Sequence, residues 1–122
     1  MALQTHKDLK VWQESKDLVI LIYALTANFP KEEIYSLTAQ IKRAAVSIPS
    51  NIAEGAARDS NKEYIHFLYI ALGSLAELDT QLIIARDLNY TDKKDFDLLN
   101  EKLGNIGKML SGLIKYRQSV RD

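Results

Sequence analysis

The stretch Gln40-Ile41-Lys42-Arg43-Ala44-Ala45-Val46-Ser47-Ile48-Pro49-Ser50-Asn51-Ile52-Ala53-Glu54-Gly55 holds two patterns at once. Ile41, Ala45, Ile48 and Ile52 recur at steps of four, three and four, the spacing of one face of an α-helix. Ile34 and Leu37 extend that seam upstream and Ala56 extends it downstream, which predicts a helix over about Glu33 to Arg58. Pro49 stands inside it. An interior proline removes the bond to the carbonyl four residues back and costs about 3 kcal/mol or more. Apolar phase is nevertheless the same on both sides of Pro49, so the helix is read as continuous; the alternative is an earlier stop with Gly55 as a C-cap.

The second pattern is polar. Arg43, Ser47, Asn51, Glu54 and Arg58 form a stripe beside the apolar face, and a later segment carries a matching stripe of Ser74, Glu77 and Gln81. Most charged stripes are simply solvated. The other reading is a network between helices or subunits, in which arginine satisfies Glu54 and Glu77 bidentately and Arg43, Asn51, Glu54 and Glu77 are partly buried and mutually bonded.

Working outward, three further segments show helical period and none sustains the alternation of a strand. The first, about Lys7 to Ala27, carries Val11, Ser15, Leu18, Ile22, Leu25 and Phe29 as a seam, with Trp12, Val19 and Tyr23 on one flank and Ile20 and Leu21 around the other side. That apolar width exceeds what a monomeric bundle helix needs and predicts more than one subunit. Ser60 and Glu63 are placed as a capping box for a third helix, Asn61 to Leu88, whose seam is Phe67, Ala71, Leu75, Leu78, Leu82 and Ala85. Thr91 or Asp92 caps the fourth, with Phe96, Leu99, Leu103, Ile106, Leu110 and Leu113 as its seam and an end near Val120. Short connections between long helices predict an all-α, antiparallel up-down-up-down four-helix bundle, one domain over residues 1–122. Trp12, Leu18, Ile22, Ile41, Ile48, Leu75, Leu82, Leu103 and Leu110 are its expected core.

Composition narrows the function classes. The 122 residues carry 16 basic and 16 acidic side chains, so electrostatic function has to be local. With no cysteine there is neither a disulfide framework nor a thiol nucleophile, which fits a reducing cytoplasm. His, Lys and Asp stand within Met1 to Lys10, where a signal peptide would place its apolar region. The longest uninterrupted apolar run, Leu18 to Leu25, falls well below the roughly 20 residues a membrane span needs. A cytoplasmic protein without a membrane partner is expected.

The sequence offers little for catalysis. His6 lies in the terminal segment and His66 shares a helix face with Lys62, Ile70 and Gly73, so no Ser-His-acid set assembles. Glu63-Tyr64-Ile65-His66 is a single Glu-x-x-His string where a di-metal bundle needs two. Gly104-Asn105-Ile106-Gly107 has GxxG spacing but no sheet context. It reads better as a small-residue stripe with Ser111, asking for a close neighbour, and Gly112 adds to the glycine content there. No enzyme, cofactor or metal is expected.

From Lys102 onward the fourth helix is purely basic: Lys102, Lys108, Lys115 and Arg117, with Arg121 just beyond, opposite Asp92, Asp95, Asp97 and Glu101 at its start. Compensation of the helix macrodipole explains that polarity. A phosphate-binding patch for RNA or DNA is the sharper reading.

The quoted stretch resembles the signature of the four-helix-bundle proteins encoded in intervening sequences of bacterial large-subunit rRNA genes. Gly73-Ser74-Leu75-Ala76-Glu77-Leu78 resembles the second motif of that family, and Leu9, Val11, Trp12, Phe29, Pro30 and Glu33 also fit. Lys42, Ser36 and Asp79 depart from the arginine, glycine and glutamate common at those places. The resemblance implies a closed ring, typically a homopentamer. A related branch, the accessory proteins of diversity-generating retroelements, forms a pentameric barrel that binds nucleic acid and reverse transcriptase. Two functions follow as expectations: a ring that binds nucleic acid through basic side chains repeated by symmetry, or a scaffold that binds protein partners and no nucleic acid.

Overall fold

The computed structural model describes residues 5–120. Four long helices account for most of them: α1 (Lys10–Thr26), α2 (Leu37–Ala56), α3 (Asn61–Asp87) and α4 (Lys93–Ser119). Two short 3-10 turns, His6–Asp8 and Lys31–Glu33, precede α1 and α2, and there is no strand among the described residues. α2 runs unbroken through Pro49. Ala45, Ile48 and Ile52, on both sides of the proline, are fully buried, so the shared apolar phase outweighs the lost backbone bond.

Local chemistry sets the ends. Ser60 Oγ accepts from the Glu63 amide at 3.2 Å and starts α3, and Asp92 Oδ1 accepts from the Asp95 amide at 2.8 Å and starts α4. The reciprocal capping box forms elsewhere, at Thr5 and Asp8 before α1. α3 stops at a left-handed residue, Asn89 (φ 63°), with Tyr90 N–H bonded to Ala85 O and Asn89 N–H to Arg86 O, a Schellman closure. α2 begins four residues later than expected. The 3-10 turn and a bend at Ser36 intervene, and Ile34 is left exposed rather than in the seam.

The buried apolar side chains form one cluster, containing Leu18, Ile22, Ile41, Ile48, Leu75, Leu82, Leu103 and Leu110 as expected. Trp12 is a correction: it is half-buried at the cluster's edge, its ring edge-on to His6 at 5.0 Å. Thr26, Leu68 and Ile114 are buried where Leu25, Phe67 and Leu113 are expected; each is one residue on, about 100° round the helix, on the opposite flank of a buried face that otherwise keeps its place. Ser15 and Thr26 tolerate burial because their hydroxyls donate to the carbonyls of Trp12 and Ile22.

Neighbouring helices pack along their length. Ser47 meets Ser74 and Gly55 meets Tyr64 and Phe67 between α2 and α3; Lys42 lies over Tyr23 between α2 and α1; Arg117 meets Asn61 between α4 and α3. Gly55 is no stop signal. A Cβ there would lie 2.9 Å from Phe67 Cβ, so its bare backbone is what lets the end of α2 approach the start of α3.

Candidate interaction surfaces

α2 and α3 form the most extensive helix pair, and the polar stripes of both run along it. At its centre the Ser47 and Ser74 hydroxyls share a 2.8 Å hydrogen bond, and Asn51 Nδ2 donates to both the carbonyl and the hydroxyl of Ser47 at 2.8 Å. No histidine or carboxylate bonds to either hydroxyl among the described residues, so neither has a base to activate it.

The wider network does not form within one chain. Glu54 is exposed and accepts from Arg58 at 2.8 Å across one helical turn of α2. Glu77 is exposed and accepts only from Gln81 Nε2 at 3.3 Å, and Arg43 is exposed with no ion-pair partner among the described residues. The long side chains splay outward because small residues let the two helix backbones come close. Gln81 itself is buried, and its Oε1 has no hydrogen-bond partner among the described residues, as is true of Thr38 Oγ1.

The basic end of α4 does not converge either. Lys108 and Lys115, seven residues apart, share an outward face, whereas Lys102 lies about 120° round the helix from Lys108 and is half-buried. Arg117 points inward: its Nε donates to Asn61 Oδ1 at 2.7 Å and its guanidinium lies 4.8 Å from the Tyr64 ring centre. Burial raises the Tyr64 phenol above its ordinary value, partly opposed by the Arg117 charge. Arg121 lies outside the described residues. Near the start of α3, Arg58, Lys62 and His66 gather round Phe67, with Arg58 stacked on its ring at 4.7 Å and Glu63 among them.

Of the α4 glycines only Gly107 has the close neighbour expected: Leu75 Cδ2 lies 3.2 Å from where a Cβ on Gly107 would stand, while Gly104 and Gly112 face open space.

Apolar surface remains uncovered on several sides, including a groove between α1 and α4 lined by Leu21, Leu25 and Leu98. Trp12, Val19, Ile20, Val46, Pro49 and Ala53 line a groove of about 320 Å³ between α1 and α2, with Ile20 65% exposed at its rim. On α3 and its C-cap, Tyr69, Ile70, Ile83, Ile84 and Leu88 are each 38–51% exposed. α3 is long and apolar enough, by length and composition alone, to cross a membrane, yet only 33% of its most apolar window is buried.

Residues 7–112 match the family described as 23S rRNA-intervening sequence protein. The chain belongs to that family. A solved structure has the same fold: a protein of unknown function of the S23 ribosomal protein family from Bacteroides thetaiotaomicron, determined at 1.70 Å, superposes with a TM-score of 0.80 at 26% identity, over 86% of this chain and 95% of that one. No curated protein matches.

In this 23S rRNA-intervening sequence protein, the stretches Gln40 to Gly55 and Gly73 to Leu78 thus belong to the closely packed α2–α3 pair. The exposed α3 side chains escape a reading that follows only the seam. Their signal is present all the same: Ile70, Ile84 and Leu88 are apolar on the side of the helix away from Leu75 and Leu82.

Proposed function

We propose that this chain is a non-enzymatic scaffold subunit: an antiparallel up-down-up-down bundle that assembles with copies of itself into a ring, five by the family resemblance, in the cytoplasm. The observation that supports it is the unburied apolar surface of α3. Isolated apolar side chains are ordinary on a monomer's surface, but a run along one helix marks an interaction site. A ring closes when each subunit offers two different faces, and the α1/α2 groove is a second such face. Native mass spectrometry at micromolar concentration tests this. The expected result is one species of five subunits; monomer alone overturns it.

A second reading, that the ring also binds RNA or DNA, is supported by Arg58, Lys62 and His66 at the start of α3, together with outward Lys115. Symmetry would multiply contacts too weak singly to hold a polyanion. Retention on immobilised RNA or DNA at low salt and release at high salt is the expected behaviour. Lys62→Gln with Lys115→Gln removes it while the ring persists. No retention at low salt leaves the scaffold, with a protein partner, as the function.

A further inference from the structure

The α1/α2 groove and the exposed apolar side of α3 lie on different sides of the molecule. α1 packs beside α2 and α4, α3 packs beside the same two helices, and α1 and α3 are not neighbours. They therefore occupy opposite corners, and no single two-fold contact covers both faces.

Their charges are of opposite sign. Between Phe67 and Ala85, α3 carries Glu77 and Asp79 and no base. Between Leu37 and Ala53, α2 carries Lys42 and Arg43 and no acid, while the charges of α1 cancel, Lys10 and Lys16 against Glu14 and Asp17, with Lys16 paired to Asp17 at 3.1 Å. Shape agrees with charge. Ile70, Gly73, Glu77, Thr80 and Ile84 follow at steps of three and four along one outward stripe of α3, and Gly73 has open space where a Cβ would stand. A ridge so narrow at its middle lets another helix pair approach closely.

We infer that α3 of one subunit docks on the α1/α2 groove of the next copy, head to tail, with Ile70 and Ile84 against Ile20, Val46 and Trp12, and Glu77 toward Lys42. This rests on the self-association proposed above and adds which two faces meet. Docking α3 on α3 instead would set Glu77 against the acids of its own copy, an unfavourable juxtaposition. The groove-to-α3 contact is heterologous and leaves a free face of each kind at the ends of every open chain, which is what drives closure into a ring.

A mixing experiment tests the pairing. One variant carries Ile70→Asp and Ile84→Asp, the other Ile20→Asp and Val46→Asp; all four side chains are exposed, and helical circular dichroism is expected to be retained. Measured by native mass spectrometry, each variant alone is expected to be monomeric. An equimolar mixture forms a 1:1 dimer and nothing larger, because one intact groove and one intact α3 face remain between the two chains. A groove variant that still dimerises alone, or a mixture that stays monomeric while wild type assembles, overturns the pairing but not self-association. A monomeric wild type overturns both, and assigns the α3 face to another protein or, if the chain floats with phosphatidylcholine vesicles, to a bilayer. If a double variant loses its helical signal, the single changes Ile84→Lys and Ile20→Lys serve the same comparison.

Discussion

Arg117, two residues from the end of α4, donates its Nε proton to Oδ1 of Asn61, the first residue of α3, over 2.7 Å. Asn61 Nδ2 in turn donates to the Val120 carbonyl at 3.0 Å. A basic side chain that reads from sequence as a phosphate contact is thus a tie between two helix ends. Hydrogen bonds to charged groups contribute about 1.5–3 kcal/mol. Arg117→Gln is expected to lower the unfolding free energy by about that amount, and Arg117→Lys to recover little of it, because an ammonium lacks the planar fork that bonds Asn61 and covers Tyr64. Lys115→Gln, on the exposed face, is expected to stay within about 0.5 kcal/mol of wild type. Urea titrations of the three variants make the comparison.

Gly55→Ala separates helix propensity from packing. Alanine is favoured inside a helix by about 1 kcal/mol. Here its methyl would meet Phe67 Cβ at 2.9 Å and the Tyr64 carbonyl at 3.1 Å, one a side-chain root and the other backbone, neither free to swing away. Overpacking costs typically about 1–3 kcal/mol. A net loss of stability is expected, and a more stable variant would show that α2 and α3 separate without penalty.

Leu75 is buried in the core, and its Cδ2 is the atom nearest the bare Gly107 backbone. Leu75→Ala therefore opens space on the side where no side chain can relax inward from α4. A loss of about 2–5 kcal/mol is expected by thermal or chemical unfolding.

Tyr90 O–H donates to Glu33 Oε2 at 2.8 Å, joining the loop after α3 to the turn before α2. The hydrogen bond to this carboxylate holds the phenol pKa above its ordinary 10.0, with burial and the Glu33 and Glu32 charges adding in the same direction. A pKa raised by folding means that the native state binds the proton more tightly, so the stabilisation is complete below the unfolded value and is lost as pH rises through the folded one. Tyr64, raised chiefly by burial, acts in the same sense. Stability is expected to fall as pH climbs above about 10, and Tyr90→Phe to lessen that fall; an undiminished slope in the variant would remove Tyr90 from the account.

Much of the architecture can be read from apolar period alone, because Ile41, Ile48, Leu75, Leu82, Leu103 and Leu110 repeat at helical spacing over long runs. The same phase carries the helix through Pro49. What period misses is geometry that depends on a neighbour. Gly55 looks like a stop in sequence because its role is set by Phe67, twelve residues later and on another helix. Arg117 and Lys115 look alike in sequence, yet two residues of helix turn one toward Asn61 and the other away from the protein. Arg43, Glu54 and Glu77 share a stripe, but their charged ends splay apart, and only Ser47, Asn51 and Ser74 are short enough to meet between the backbones.

Trp12 is the chain's one tryptophan, half-buried in the groove between α1 and α2. The protein therefore carries its own optical reporter at a face whose occupancy is otherwise hard to observe. Drying the indole by docking shifts its emission to the blue, and dilution reverses the shift, so a fluorescence titration of the unlabelled chain follows cover and release of that groove directly.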